Sequence, residues 1–181
     1  MKYPKLERLQ ILHYPDPHLR EKAVDLTDVG NFLKELTERM SELMFGAKGI
    51  GLASTQVGWP FRFIVLGSLT EEGKSEGYIN PVILSRQGRQ VAEEGCLSVP
   101  GIWAKVRRAE RVRVRATRID GERIEFDAEG MAARAWQHEL DHLEGGLFVD
   151  RVGPAARIVI AGRLREMEEH YVPPDDEGDE H

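Results

Sequence analysis

A chain of 181 residues, 41% hydrophobic and 31% charged, can bury one substantial core, and neither wholesale disorder nor a fibrous repeat fits that composition. A formal net charge of −6 argues against a nucleic-acid binder, because affinity for phosphate backbones rests on clustered Lys and Arg. No run approaches the roughly 18 apolar residues of a membrane span, and the N-terminus lacks the charged-then-apolar pattern of a signal peptide, so a cytoplasmic protein in direct contact with neither membrane nor nucleic acid is expected.

In chain order, the first stretch is turn-rich through Tyr14-Pro15-Asp16-Pro17, since each proline restricts itself and the residue before it, and it predicts an irregular arm. Phe32, Leu33, Leu36, Met40, Leu43 and Met44 then recur at helical spacing among Lys34, Glu35, Glu38, Arg39 and Glu42, with Gly46 as the stop. That is an N-terminal surface helix with one buried face. A glycine-rich segment follows over residues 49–58, and residues 61–66 read as a buried strand. Residues 68–77 mix Ser, Thr, Glu and Gly without periodicity, which predicts a connecting loop before a short strand over residues 80–84.

Between Arg111 and Ala128 two alternating runs flank Ile119-Asp120-Gly121, a three-residue hairpin loop with glycine where a left-handed conformation is needed. That loop length pairs Val112, Val114 and Ala116 with Ala128, Phe126 and Ile124 on one face, and Arg113 and Arg115 with Asp127 and Glu125 on the other. A two-residue loop would set valines opposite carboxylates. From about Gly130 to Leu143 the pattern is helical, and a C-terminal helix is expected from near Pro154 to about His170, ended by Val172-Pro173-Pro174. Asp175, Asp176, Glu177, Asp179 and Glu180 predict a disordered acidic tail over residues 171–181, behind a single domain of residues 1–170.

Chemistry concentrates in three segments. In His138-Glu139-Leu140-Asp141-His142, a helix puts the two histidines one turn apart on one face, where they can grip one metal ion with Glu139 offset beside it. Leu143-Glu144-Gly145-Gly146-Leu147-Phe148 supplies no third histidine, while a downstream glutamate ligand, the thermolysin arrangement, stays open through Glu166, Glu168 or Glu169. Upstream, Glu93-Glu94-Gly95-Cys96-Leu97-Ser98 places the chain's one cysteine in polar company, although a lone cysteine otherwise reads first as a small buried hydrophobe. Two imidazoles and a thiolate make three protein ligands and leave a fourth position for water, the mark of a catalytic site, where the ion lowers the pKa of that water enough for attack near neutral pH. In Gly49-Ile50-Gly51-Leu52-Ala53-Ser54-Thr55-Gln56, the phosphate-loop reading fails for want of Gly-Lys-Ser/Thr and a preceding strand. Glycines there can instead expose backbone N–H and C=O groups to an extended peptide, and the Gln56 amide can donate to a developing oxyanion.

The three segments, in this order, resemble the signatures of the peptide deformylase family: a G-x-G-x-A-x-x-Q type loop, E-G-C-x-S and H-E-x-x-H. The resemblance runs from the Tyr14-Pro15-Asp16-Pro17 arm through Gln137 to Leu147-Phe148-Val149-Asp150. It implies an α+β fold in which antiparallel β-sheets surround a central helix bearing the H-E-x-x-H motif, with an N-terminal and a C-terminal helix. It implies that Cys96, His138 and His142 bind one divalent ion, usually Fe2+ with Zn2+, Ni2+ or Co2+ able to replace it. It makes Glu139 the general acid/base and Gln56 with the Leu97 backbone N–H the oxyanion hole. The implied reaction removes the formyl group from the N-terminal methionine of nascent proteins: metal-bound hydroxide attacks the formyl carbon, and formate leaves.

Helical geometry adds that Met131 and Ala135 lie whole turns before His138 and His142 and should line a methionine pocket, whereas Trp136, Leu140 and Leu143 face a core. With Gly49, Ile50, Gly51 and Gly95 they complete the expected peptide-binding set. Glu94 and Arg108 are similar to a supporting ion pair of the family that orients the cysteine loop. Two departures stand out: Ser54 replaces the usual alanine, and Trp103 stands where many relatives carry a basic residue, offering stacking and one donor in place of charge. Some relatives dock on the ribosome through a basic C-terminal helix; here Arg157, Arg163 and Arg165 are countered by Glu166, Glu168, Glu169 and the acidic tail. The rival readings are a thermolysin-type zinc endopeptidase and an inactive, metal-stabilised binding module.

Overall fold

The arm that opens the chain makes 3-10 turns at Leu6–Arg8 and Pro17–Arg20, the second begun by Asp16, whose carboxylate accepts from the His18 backbone N–H at 2.9 Å. Helix α1 spans Phe32–Gly46, and strand β1 (Gly51–Ala53) passes through a 3-10 turn at Ser54–Val57 into β2 (Phe63–Gly67). Strands β3 (Ser75–Gln87), β4 (Gln90–Cys96), β5 (Val99–Arg108), β6 (Arg111–Arg118) and β7 (Arg123–Glu129) lead into helix α2 (Gly130–Leu143), and helix α3 (Pro154–Glu169) closes the fold. This computed structural model describes residues 4–27 and 30–173, so most of the expected acidic tail, from Pro174 on, lies outside the described residues. Among the described residues no helix is long and apolar enough to cross a membrane.

The architecture is α+β. A five-stranded antiparallel sheet runs in the order β1-β2-β3-β6-β7, and β4 and β5 form a separate two-stranded sheet. Strand β2 is apolar at successive positions because it is covered on both faces: Phe63 and Val65 join a core with Leu36, Met40 and Met44 of α1, while Ile64 joins one with Trp136, Leu140 and Leu143 of α2. Helix α2 is therefore central. One stripe, Ala133, Trp136, Leu140 and Leu143, packs on the larger sheet, where Trp136 meets Tyr78 and Phe126 edge-on at ring separations of 4.8 and 5.6 Å. The opposite stripe carries Arg134 and His138 toward β4. Leu143 is fully buried, so Leu143→Ala should cost about 2–5 kcal/mol. A lower denaturant midpoint at unchanged slope would show it, and an unshifted midpoint would contradict this core assignment.

The β6–β7 hairpin takes the register read from its charges, with Val112↔Ala128, Val114↔Phe126 and Ala116↔Ile124 on one face and Arg113↔Asp127 and Arg115↔Glu125 on the other. Gly121 holds the left-handed corner at φ 90°. Two expectations need correction. The strand expected over residues 80–84 is the middle of a longer β3, and the loop expected over residues 68–77 ends where Ser75 pairs with Gly67. The misleading signal is Asn80-Pro81: Asn80 adopts φ 48° at a register shift, a place where a strand tolerates proline. The Asn80 amide also clamps the arm, accepting from Leu26 N at 2.8 Å and donating to Leu26 O at 2.9 Å.

Candidate metal centre

Strands β4 and β5 turn over Leu97-Ser98 with Cys96 paired to Val99, which holds the thiol at the tip of a tight hairpin. The hairpin tip faces α2, and the Cys96 Sγ lies 3.3 Å from His142 Nε2, itself 3.3 Å from His138 Nε2. The three ligand atoms all fall within 4.8 Å of one another. Tetrahedral coordination with ordinary metal–nitrogen and metal–sulfur lengths separates such atoms by roughly 3.3–3.6 Å. Spacing and donor chemistry thus fit one divalent ion of the Zn or Fe class. Among the described residues no α3 glutamate joins the group, and Glu168 instead accepts a hydrogen bond from Tyr14, so the thermolysin-type ligand set is not assembled.

The ring of His138 is oriented from behind. Its Nδ1 donates to Glu94 Oε2 at 3.0 Å, which turns Nε2 toward the shared point. Burial alone would raise the Glu94 carboxyl, but hydrogen bonds from Arg108 and His138 hold it well below the usual carboxylate range. Arg108 makes a two-pronged contact with Glu94, 2.9 Å at each oxygen, and reaches Asp141 Oδ2 at 2.5 Å, while Arg151 secures Asp141. The Glu94–Arg108 pair is therefore buried support and not loose surface charge. Sequence reading passed over Arg134, which donates to Glu94 Oε1 at 2.5 Å and to Val106 O at 3.1 Å; its place one turn before His138 on the same stripe was the available signal.

Glu139 belongs to neither the ligand group nor that network. Only 3% exposed, it lies against the backbone of Gly51: a Cβ there would stand 2.3 Å from Glu139 Oε1, so the strand passes the carboxylate only because residue 51 is glycine. Burial pushes its pKa up to about 7. Gln56 is fixed by its Oε1 accepting from Ala53 N at 2.8 Å, and its Nε2 donates to Ser98 Oγ at 3.0 Å with Cys96 Sγ at 3.5 Å, so the amide donor faces the cysteine loop. The Ser54 hydroxyl, fully buried, donates to Phe61 O and is accommodated.

A cleft of about 610 Å³ opens on these groups. Gly49, Ile50 and Gly51 form one wall, leading into β1 at the edge of the larger sheet, and Gly95, Cys96 and Leu97 form another. Gln56, His138 and Glu139 lie within it, as do Met131 at the rim and the nearly buried Ala135. His142 stands behind them, fully covered. All the expected site residues are thus gathered at one cleft, which can hold a cation, an extended chain and a developing anion side by side.

The family profile described as Polypeptide deformylase matches residues 8–157. The peptide deformylase of Acidobacterium capsulatum is 46% identical over 160 residues, covering 87% of this chain and 94% of that protein. Among solved structures, a peptide deformylase from Legionella pneumophila is similar with a TM-score of 0.81 at 37% identity, covering 89% of this chain and 95% of that one. Peptide deformylase 1B of Arabidopsis thaliana gives 0.84 at 38% identity, covering 90% and 92%.

Proposed function

Since the chain belongs to the polypeptide deformylase family, we infer that it is a metal-dependent amide hydrolase that removes the N-formyl group from the N-terminal methionine of nascent proteins and releases formate. The observation that carries the reading at the level of residues is the convergence of Cys96, His138 and His142 beside Glu139 in a cleft walled by exposed backbone. We assign the ion to those three side chains and propose Fe2+ as the native metal, with Zn2+, Ni2+ or Co2+ able to substitute. When bound, such an ion supplies a nucleophile at neutral pH by acidifying water and polarises the formyl carbonyl.

The remaining steps belong to the chain's own groups. Gly49, Ile50, Gly51 and Gly95 offer backbone hydrogen bonds to an extended peptide, and Met131 and Ala135 line the space for the methionine side chain. As the carbonyl carbon becomes tetrahedral, the Gln56 Nε2 and the Leu97 N–H hold the oxyanion. Glu139 takes the proton from the attacking water and delivers it to the leaving amine, which becomes the new N-terminus. The carbon–nitrogen bond of the formamide breaks, with formate as the other product. We place this chemistry in the cytoplasm, where the nascent chain emerges. A ribosome contact through α3 has less support, because Arg163 is engaged with Gly101 O at 2.6 Å and the neighbouring arginines are countered by glutamates.

The direct test is formate release from formyl-Met-Ala-Ser by anaerobically prepared, iron-loaded protein. Stoichiometric formate and free Met-Ala-Ser are expected, abolished by a chelator and restored by the metal. Metal binding without formate would leave the binding-module reading in its place.

A further inference from the structure

Helix α3 is apolar on two faces. Ala156, Ile160, Leu164 and Met167 pack on the core beneath it, and Arg163 ties it to Gly101 O. On the far side Ala155, Ile158, Val159 and Gly162 recur at i, i+3, i+4 and i+7, a single stripe that faces solvent, with Ile158 and Val159 each 78% exposed. Neither choice serves the helix by itself. β-branched residues form helices less well than the Glu, Lys or Ala usual on a solvated face, and a glycine inside a helix does worse still. Packing within the chain does not call for the glycine either, since a Cβ at residue 162 would meet nothing within 4 Å. Residues 174–181 hold Asp175, Asp176, Glu177, Asp179 and Glu180 and no large apolar side chain, so that segment has nothing to lay on Ile158 and Val159. One surface thus carries both a branched knob and a bare seat for it, which is what a self-complementary contact requires.

We propose that this face of α3 is an interaction surface for a second copy of the chain, in an antiparallel, two-fold helix pair that seats Ile158 of each copy over the partner's Gly162. Glycine at the crossing lets the two backbones approach, and the branched side chains leave water in the gap opposite. Charge fixes the direction. Residues 151–165 carry Arg151, Arg157, Arg163 and Arg165 and no acid, whereas residues 166–169 carry Glu166, Glu168 and Glu169 and no base. Counting outward from the match of Ile158 with Gly162, an antiparallel pair brings Glu166 to the partner's Pro154 at the helix start and Glu169 to the partner's Arg151. The start of α3 has no side-chain cap, so its free N–H groups and positive dipole end suit a carboxylate. A parallel pair would set glutamates against glutamates. One helix stripe buries little, below roughly 1,200 Å² in all, so the dimer is weak, with a Kd on the order of 10–100 μM. None of the four stripe residues lines the cleft, so each copy keeps its own site.

The test is sedimentation equilibrium of the metal-loaded full chain from about 5 to about 500 μM, over which the wild type should pass reversibly from monomer to dimer. Ile158→Asp and Gly162→Gln should each weaken the dimer by about tenfold or more. Gly162→Gln should also leave the thermal midpoint of the dilute protein unchanged or raised, because the new side chain enters open space on a helix that it favours. Glu166→Gln combined with Glu169→Gln should weaken the dimer about three- to tenfold, whereas the same change would tighten a parallel pair. A wild type that stays monomeric to the top of the range overturns the proposal and leaves the face to a different protein. A dimer that survives both Ile158→Asp and Gly162→Gln overturns it too, since the contact then lies elsewhere. An unchanged or tighter dimer on loss of the two glutamates overturns the antiparallel pairing.

Discussion

Glu139→Ala is expected to keep its metal and to lose about 10²–10⁴-fold in turnover of formyl-Met-Ala-Ser, the span ordinarily supplied by a positioned acid–base group. Retention of metal is expected from geometry, since the three side chains grouped closely enough to hold an ion are Cys96, His138 and His142 and not Glu139. The loss follows from environment. The Glu139 carboxyl is sealed against Gly51, and burial lifts its pKa to about 7, so near neutral pH both the proton-holding and the proton-accepting forms are within reach. A neighbouring divalent cation favours the ionised form, which suits a group that first accepts a proton from water. Metal content and kcat measured on the same sample decide the matter: full metal with undiminished kcat would sink the proposed role, and loss of metal would make Glu139 a structural support of the site.

Cys96→Ser is expected to lower metal-dependent activity by more than the roughly 10–100-fold that follows loss of an outer hydrogen-bond partner, because it removes a ligand itself. A serine hydroxyl does not ionise as a thiol does and presents a shorter, harder donor at the hairpin tip. His138 and His142 stay in place on α2, so two-thirds of the ligand set survives and the fold should too. Chelator competition should show weakened affinity alongside the activity loss. Full retention of activity and affinity would falsify the cysteine-ligand assignment and reopen a site completed by a carboxylate.

Much of the fold was legible where local rules and packing agree. The β6–β7 register could be derived because opposite charges and β-branched side chains both vote for the same loop length. Helix α2 showed its two stripes because Trp136, Leu140 and Leu143 on one side and His138 and His142 on the other follow helical spacing. The β4–β5 pair gave no comparable signal. It turns through Leu97-Ser98 without Gly, Asn or Pro at the corner, and its strands include Glu93, Glu94, Pro100 and Gly101, residues poor in strand propensity. At the site, the motif residues that the fold brings to one cleft could be singled out from their chemistry and spacing, with their roles left as proposals. The polar support could be named only in part: Glu94 and Arg108 by resemblance, Arg134, Asp141 and Arg151 not at all. Those partners meet across β4, β5, α2 and the segment after it, and such meetings are set by tertiary packing and not by spacing along the chain.

Strand β2, apolar on both faces, raises the question of what fixes alignment in this part of the sheet. An alternating strand is locked because a slip of one residue would drive polar side chains into the core. A slip of β2 would merely exchange Phe63 and Val65 for Ile64 and Leu66 between two greasy layers, with little penalty. Discrimination must come from the neighbours, and Gly51 is well placed to provide it: only glycine fits opposite Glu139, so shifting β1 by one step would thrust Leu52 at the carboxylate. The bare position that makes room for the Glu139 carboxylate thus also acts as a molecular index pin, so the alignment of the sheet edge and the shape of the cleft depend on the same residue.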